Sequence, residues 1–557
     1  MERRVLLAIS LSFVVLFLYQ QLVPPPPEQP TAVATTATPG AAPGAAAPTL
    51  VPAAPATMPA VAATRSDSVE REYVIETQQV RAVFTNRGGR LKRWALKQYL
   101  DRSGQPVELV PADTGSRPLP FSLATADAAQ TARLNGELYA VEHVAPERID
   151  ATTSPAALTF VYEGADGLVA RKRFTLQPSG YVVGFNADVT QGTAALNPSL
   201  VWGPGLGDEI ARSAGSGGMF SGGYVSPAAG FVYVDGSVTR FAGAAASTAG
   251  TQQGVFRYAG VTDHYFVAAV LEPSGGQRID FAHVPLVDPA DPAVVRQLVS
   301  YTATFDKAPG DVRVFLGPKQ FEALKAINPE FTKVIDFGMF AVLAVPLLGA
   351  LQWVYGFVGN YGYSIIILTI LINLVMWPLR HKSVVSMRKM QELQPQLKVI
   401  QDRYSHLKMT DPARGKMNEE VMALYKSKGA NPASGCVPML LTLPVLFAFY
   451  SLLSQAIEIR GAPFALWITD LSLRDPWYIT PLLMGGTMFW QQRLQPGTGD
   501  PVQQKVLMFM PVMFTAMFMT APSGLVIYWF VSNLWAIGQQ YFTNWLIGPA
   551  QPAGVKR

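Results

Sequence analysis

The sequence predicts a multi-domain membrane protein with six transmembrane α-helices and one large antiparallel β-sandwich outside the membrane. Only 15% of its 557 residues are charged and 49% are hydrophobic, whereas a soluble protein has about 25% charged residues. Six apolar segments approach the length of a membrane-spanning helix. Between the first two, about 250 residues contain runs that alternate apolar and polar side chains, as half-buried strands do.

The composition argues against several other classes of protein. The net charge of +5 is small for this length, and nucleic acid is therefore not an implied partner. The single cysteine, Cys436, excludes an intramolecular disulfide framework, and no His/Cys cluster has the spacing of a structural zinc site. We expect neither a metal nor another cofactor.

Residues 1–23 predict a transmembrane anchor whose N-terminus lies in the cytoplasm. Two arginines precede an apolar run from Val5 to Tyr19, which is the charge order of a segment with its basic end inside. A cleaved signal peptide is the alternative, but Pro24–Pro27 follow the run and no small-residue cleavage site lies close behind. Residues 24–66 are mostly Pro, Ala and Thr and predict a flexible linker.

Residues 67–317 predict the β-domain. Val80, Ala82 and Phe84 alternate with polar residues before a turn at Asn86–Gly89, a pattern typical of a hairpin. Further short apolar runs are separated by turn-forming residues; they are Leu158–Tyr162, Val169–Leu176, Tyr181–Val189, Phe231–Val234, Tyr265–Leu271 and Val299–Phe305. Together they indicate an antiparallel sandwich.

Residues 318–360 predict connecting and interfacial amphipathic helices. The apolar part, Phe337–Val358, is interrupted by Pro346 and two glycines. By length it could also span the membrane. We prefer the interfacial position, because a span here would put the basic segment that follows on the outer side.

Residues 361–546 predict a five-helix core, and residues 547–557 a short cytoplasmic tail. The predicted spans are Tyr361–Leu379, Val437–Ile457, Trp477–Trp490, Val506–Ala521 and Leu525–Leu546. Between positions 380 and 432 lie eleven Lys and Arg against five acidic residues, whereas the loop 458–476 has only Arg460 and Arg474. The basic loop is therefore cytoplasmic, and so are both termini.

The basic loop 380–432 predicts a helical hairpin. Its first helix carries a heptad seam made of Met390, Leu393, Leu397, Ile400, Tyr404 and Leu407. Its second helix offers Met417, Val421 and Leu424 on one face. The basic outside of the hairpin fits two roles, contact with anionic lipid headgroups or docking of ribosomes, targeting factors and nascent chains.

A series of ordered motifs in and after this hairpin resembles the YidC family of bacterial membrane protein insertases. They are Ala423–Lys426, Asn431–Pro432, Gly435–Cys436, Pro438, Pro444, Pro463–Phe464, Asp470–Leu471, Asp475–Pro476, Met510–Pro511 and Pro522–Leu525. The match covers about 359–541, and the domain order is similar to the Gram-negative form with its periplasmic β-supersandwich.

The resemblance implies an inner-membrane protein that is not an enzyme. It would insert nascent inner-membrane proteins and help them fold, alone or with the Sec translocon. It implies a polar groove between the core helices, open to the cytoplasm and to lipid and closed toward the periplasm. A polar lining lowers the barrier for a substrate segment that must leave water.

Polar residues within the predicted spans are the candidate groove lining: Thr369, Asn373, Thr442, Tyr528, Ser532 and Asn533. The alternative for each is an interhelical hydrogen bond, worth about 0.6 kcal/mol in a membrane bundle. Family members usually carry an arginine where this chain has Asn373, and Tyr361–Leu379 contain no charged residue. We therefore expect a groove that is polar but less positive than the family pattern.

Three other functions are weaker alternatives. An enzyme is suggested only by His264 beside Asp263, since β-supersandwiches also occur in sugar mutarotases, and no paired catalytic carboxylates accompany them. A transporter would usually show internal repeats and charged or broken helices at mid-membrane, and the sequence shows neither two-fold hydropathy symmetry nor a buried charge. An intramembrane protease would need a catalytic constellation within its spans, and the predicted spans contain none.

Overall fold

The computed structural model describes residues 63–101, 103–111, 117–142, 146–206, 226–248, 251–272, 277–288, 291–306, 311–404, 413–428, 437–494 and 501–547. The predicted anchor 1–23, most of the predicted linker 24–66, nearly all of the predicted tail 547–557, and Cys436 lie outside these residues. The side chain of Thr442 also lies outside the described part, although its helix is described.

The described β-domain contains twenty-one strands and two short helices. The strands are β1 Ala63–Arg65, β2 Glu72–Glu76, β3 Val80–Thr85, β4 Arg90–Leu100, β5 Pro106–Glu108, β6 Ser122–Ala124, β7 Ala140–Val141, β8 Arg148–Asp150, β9 Ala156–Gly164, β10 Leu168–Leu176, β11 Val182–Gln191, β12 Ala194–Leu196, β13 Ser199–Trp202, β14 Ala229–Val234, β15 Ser237–Ala242, β16 Gln252–Gly254, β17 Tyr258–Thr262, β18 Phe266–Leu271, β19 Gln277–Asp288, β20 Asp291–Phe305 and β21 Val312–Pro318. The helices are α1 Ala128–Gly136 and α2 Ala244–Thr248.

The strands form three sheets, which confirms the predicted antiparallel β-sandwich. One sheet has the order β1-β9-β10-β11-β21-β18-β17-β14-β15, with β12 beside β11 and β7 beside β9. Two five-stranded sheets have the orders β16-β19-β20-β13-β6 and β5-β4-β3-β2-β8. The β2–β8 pair is parallel. Strand β1 pairs with β9, so the β-domain includes Ala63, four residues before the predicted boundary at residue 67.

The predicted turn at Asn86–Gly89 joins β3 to β4. Gly88 has a φ of 70°, and a Cβ atom there would lie 2.6 Å from the backbone oxygen of Asn135. Both the left-handed backbone and the close approach require glycine at this position.

Aromatic rings fill the space between the sheets. Phe174 of β10 lies 4.6 Å from Phe84 of β3, 5.3 Å from Phe121 and 5.1 Å from Phe185 of β11, measured between ring centroids. All four side chains are buried. Such packed rings stabilise the sandwich beyond the area they remove from water.

The sandwich also encloses one lysine. The Lys172 side chain is fully buried, and its Nζ donates to the carbonyl oxygens of Gly88, at 2.7 Å, and Phe121, at 3.0 Å. Burial holds the pKa of Lys172 well below its ordinary value. The two carbonyls accept hydrogen bonds from the amine, which the apolar side chains around it cannot do.

After β21 the chain is helical. The helices are α3 Phe321–Ile327, α4 Ala341–Val358, α5 Tyr361–Glu392, α6 Gln394–Arg403, α7 Ala413–Ser427, α8 Val437–Gln455, α9 Ile479–Leu494, α10 Pro501–Phe518 and α11 Ser523–Ile547. Within the described residues, two are long and apolar enough to span a membrane by length and composition, Gly338–Val358 and Tyr361–Ser386. The count of six spans stays a prediction.

Helix α4 differs from the predicted amphipathic helix, because it is apolar on both sides. Its inner face buries Leu348 and Leu351 against the neighbouring helices, while Val342, Trp353 and Phe357 are 83%, 65% and 75% exposed. Its sequence offers a single amide, Gln352, and no charged residue. An exposed apolar face of this kind marks a surface for contact with lipid or with another protein.

Helix α5 is longer than the predicted span, because it continues without interruption beyond Leu379 into the basic segment. The hairpin packs as its seam predicts: Leu393 and Leu397 are buried against Val421 and Leu424. At its far end the Tyr404 hydroxyl donates to Glu420 at 2.8 Å.

The β-domain contacts the helices through the turn between β17 and β18. There His264 Nδ1 accepts a hydrogen bond from the backbone N–H of Ser226 at 3.0 Å, and Gln455 at the end of α8 donates to the Ser226 hydroxyl at 3.1 Å. The Arg460 guanidinium lies 5.3 Å from the centroid of the Tyr265 ring. His264 is buried in this joint, which is a structural position.

Candidate functional site

The candidate site lies between helices α5 and α11, and α5 supplies two of its predicted residues. Thr369 and Asn373 are one turn apart on the same face and both are buried. The Thr369 hydroxyl donates to the carbonyl oxygen of Ile365 at 2.6 Å, and the Asn373 Nδ2 donates to the carbonyl oxygen of Thr369 at 2.8 Å. The helix backbone therefore occupies these donors, while the Asn373 oxygen remains able to accept.

That oxygen accepts from a residue two turns further along. Arg380 Nη1 donates to Asn373 Oδ1 at 2.8 Å. Residues seven apart share a helix face, and helical side chains lean toward the N-terminus, so a long arginine side chain can reach back to this position. The expectation of a less positive groove needs correction here, since a cation lies beside Asn373 although it comes from outside the predicted span.

Helix α11 places Tyr528 next to this pair. The Tyr528 ring is buried and stacks on Phe449 of α8, with centroids 4.3 Å apart and planes 13° apart. Its hydroxyl is close enough to Arg380 for the two groups to interact electrostatically. Ser532 lies one turn further along the same helix, and its buried hydroxyl interacts with the Tyr528 side chain. Helices α5, α8 and α11 thus meet at a polar cluster.

Asn533 faces another neighbour. Its Nδ2 lies 3.4 Å from the carbonyl oxygen of Met484 and 3.3 Å from the Thr487 hydroxyl, both on α9. This is the geometry of an interhelical hydrogen bond. The structure therefore brings together Thr369, Asn373 and Tyr528, with Ser532 nearby, and directs the Asn533 amide toward a different helix.

Polar contacts that the sequence reasoning missed continue toward the hairpin end of α5. His381 Nδ1 lies 3.3 Å from the Thr543 hydroxyl, and Gln539 Nε2 donates to the carbonyl oxygen of Trp377 at 3.3 Å. Thr543 and Gln539 are buried. Continuing the helical period past Leu379 would have included Arg380 and His381 in the polar face, because that face extends beyond the end of the apolar run.

At the ends of α5 and α11 that lie away from the hairpin, the loop between α8 and α9 contacts both helices. The backbone N–H groups of Ser523 and Gly524 donate to the carbonyl oxygens of Leu473, at 2.7 Å, and Leu471, at 2.9 Å. Asn360, just before α5, donates to the carbonyl oxygen of Phe464 at 3.0 Å. The loop therefore binds the outer ends of both α5 and α11.

Two family models match the chain over nearly all of its described length. The model described as 60Kd inner membrane protein matches residues 353–548. The model described as YidC periplasmic domain matches residues 72–350. The boundary between the two matches falls within α4.

Proteins of similar length and sequence occur in bacteria. A membrane protein insertase YidC of Syntrophus aciditrophicus is 34% identical over 571 residues, which cover 98% of this chain and 99% of the relative. One from Geobacter metallireducens is 34% identical over 572 residues, covering 99% and 100%. A crystal structure of an active YidC insertase is 18% identical, covers 86% of this chain and 94% of its own, and has a TM-score of 0.34.

Proposed function

This chain belongs to the YidC family of membrane protein insertases, and on that premise we propose that it inserts inner-membrane proteins through a polar groove between α5, α8 and α11. It would also help them fold, either alone or with the Sec translocon. Its work would be non-covalent, so that its residues stabilise a passing segment and carry out no chemistry on it.

The Arg380–Asn373 hydrogen bond beside Tyr528 supports this proposal most directly. These groups lie between helices whose outward side chains, such as Val375 at 78% exposed, are apolar. Arg380 follows the predicted span, yet its guanidinium reaches back to the buried amide of Asn373, whereas long basic side chains near helix ends commonly extend toward the interface. This inward direction supports a functional role rather than packing alone.

The energetics need no nucleotide. A polar substrate segment that enters hydrocarbon loses its hydrogen bonds to water, and polar side chains along the groove replace part of them. Burial of the substrate's apolar span then supplies about 0.8 kcal/mol per CH₂. The membrane potential adds about 2.3 kcal/mol per charge and 100 mV to the movement of charged residues.

Two short helices favour a thinned bilayer beside the groove. Helix α9 has 16 residues and α10 has 18, which corresponds to about 24 and 27 Å against a hydrocarbon core of about 30 Å. Both are two residues longer than predicted from the sequence. A thinner bilayer shortens the path that a polar segment must cross.

The basic hairpin is the proposed cytoplasmic contact for ribosomes, targeting factors and anionic lipids. It lies at the end of α5 opposite to the loop that contacts the β-domain. With the β-domain in the periplasm, the hairpin is in the cytoplasm, as the positive-inside rule requires. By the same rule we expect both chain termini in the cytoplasm.

A set of variants separates charge from polarity in the groove. We expect Thr369→Val combined with Asn373→Leu to slow insertion of substrates with polar translocated segments, because the groove face loses its amide and hydroxyl. We expect Arg380→Gln to slow mainly substrates with acidic translocated segments. The measurement is protease protection of single-span substrates in vesicles that contain equal amounts of each variant.

Moving the cation provides the matched control. Asn373→Arg combined with Arg380→Gln restores a positive charge at the same place and should recover insertion of acidic segments. Full activity of the Thr369→Val, Asn373→Leu variant on every substrate would contradict the groove assignment, leaving these residues as ordinary interhelical contacts.

A further inference from the structure

The loop between α8 and α9, residues 456–478, exposes an apolar tip. Leu466 is 88% exposed and Trp477 is 64% exposed. Together with Trp467 and Pro476 they line an open cleft of about 460 Å³. The sequence from 461 to 469 contains no charged residue. An uncharged tip of this kind is poorly suited to water.

The tip is held rigidly. The buried Asp475 carboxylate accepts from Trp467 Nε1 at 3.0 Å, from the backbone N–H of Trp477 at 2.9 Å and from that of Thr480 at 2.7 Å. The two indole rings stack with centroids 5.6 Å apart. Leu466 has a φ of 56°, a left-handed conformation that leucine rarely adopts. The fold therefore fixes these side chains outward at some cost in backbone energy.

Contacts with the membrane helices set the depth of the loop. It accepts hydrogen bonds from Asn360, directly before α5, and from Ser523, the first residue of α11. The loop thus lies at the level where these two helices enter the bilayer. Arg460 of the same loop contacts Tyr265 of the β-domain, so the tip is on the periplasmic side.

We propose that Leu466, Trp467 and Trp477 form an anchor in the outer leaflet of the membrane, at the boundary between headgroups and acyl chains. Indole rings favour this depth because one part of the ring is apolar and the N–H is polar. Helix α9 starts at Ile479, directly after Trp477. The anchor therefore fixes the height of one of the short helices, and with it the depth of the bilayer next to the groove.

The experiment uses full-length protein in which Cys436→Ser removes the single native thiol. Leu466→Cys, or Val255→Cys on the β-domain as a control that is 74% exposed, carries an NBD label. In phosphatidylethanolamine and phosphatidylglycerol vesicles, we expect a blue-shifted emission at Leu466→Cys and stronger quenching by 5-doxyl than by 12-doxyl lipid. We expect neither at Val255→Cys.

A second pair of variants keeps the test independent of the label at Leu466. With NBD on Thr469→Cys, Leu466→Met should retain lipid quenching, whereas Leu466→Asn should lose it; asparagine tolerates the left-handed backbone, so the loop keeps its shape. Emission at Leu466→Cys that matches Val255→Cys would overturn the anchor. A blue shift that appears only after ribosome-bound nascent chains are added would overturn it too, in favour of a protein-docking surface.

Discussion

The helix pair α5–α11 buries several polar side chains and exposes large apolar ones, an arrangement that the β-domain largely lacks. In the sandwich, Phe174 and its aromatic neighbours are inside, as water requires. In the helix pair, Thr369 and Asn373 are buried while Val375 and Trp545 are 78% and 77% exposed. The kind of side chain that a region buries therefore depends on the solvent around that region. Burial of apolar side chains stabilises a fold in water, whereas in lipid polar contacts and close packing hold helices together.

The largest expected effect contrasts one apolar truncation in each region. Phe174→Ala should destabilise the sandwich by about 3 to 5 kcal/mol, because it leaves a cavity among three aromatic rings. Val375→Ala should change stability little, since its side chain only exchanges contacts with lipid. Denaturant titration of the two full-length variants in micelles, followed by limited proteolysis of the β-domain, measures both. Equal destabilisation by the two substitutions would contradict the difference between the two regions.

An intermediate effect concerns pH at the joint between the two regions. Burial, and then the nearby Lys319, lower the pKa of His264 from 6.5 to about 3. The folded protein thus keeps His264 neutral while the unfolded chain takes up a proton below pH 6.5. The contribution of His264 to stability should be constant above that pH and fall by about 1.4 kcal/mol per pH unit below it, down to about pH 3.

The measurement is the denaturant midpoint at pH 7.5 and at pH 5.0, where His264 alone contributes a loss of about 2 kcal/mol. His264→Gln keeps an acceptor for the Ser226 N–H and has no titration in this range. Its pH dependence should therefore be flatter than that of the parent by this amount. Parallel curves would show that His264 does not set the acid sensitivity of the joint.

The smallest expected effect is at an interhelical hydrogen bond. Asn533→Leu removes the donor to Met484 and Thr487, and should cost about 0.6 kcal/mol, as such bonds do in membrane bundles. Insertion should be nearly unchanged, because the amide points toward α9. The assay is protease protection at equal abundance together with thermal stability in micelles. A loss of insertion as large as that of the Thr369→Val, Asn373→Leu variant would move Asn533 into the groove.

The strands that sequence predicts well include those with strict alternation and a glycine turn. Val80–Phe84 and the turn at Asn86–Gly89 correspond to β3 and its connection to β4, because both the buried face and the required left-handed residue are visible locally. The arm of β19 and β20 was missed over most of its length. Pro285 and Pro292 suggest a loop, yet they lie on strands of this long hairpin, and only the partner strand reveals it.

The candidate site was predictable in its helical spacing but not in its charge. Thr369 and Asn373 share a face by their separation alone. Arg380 lies outside the apolar run that defines the predicted span. Its hydrogen bond to Asn373 depends on the direction of the arginine side chain, which a hydropathy pattern does not predict. The apolar character of α4 is visible in its sequence, but which of its apolar side chains are exposed depends on the helices that pack against it.

The continuity of α5 gives the groove a mechanical property. Its 32 residues form a rod about 48 Å long, of which about 30 Å spans hydrocarbon, so that roughly 18 Å projects beyond it to the hairpin. Pro378 interrupts the backbone hydrogen bonding near that boundary. A bend of about 10° at Pro378 displaces the far end of this projecting part, about 18 Å away, by about 3 Å. Because Pro378 lies between Asn373 and Arg380 in the sequence, a load on the hairpin would change the distance between these two side chains.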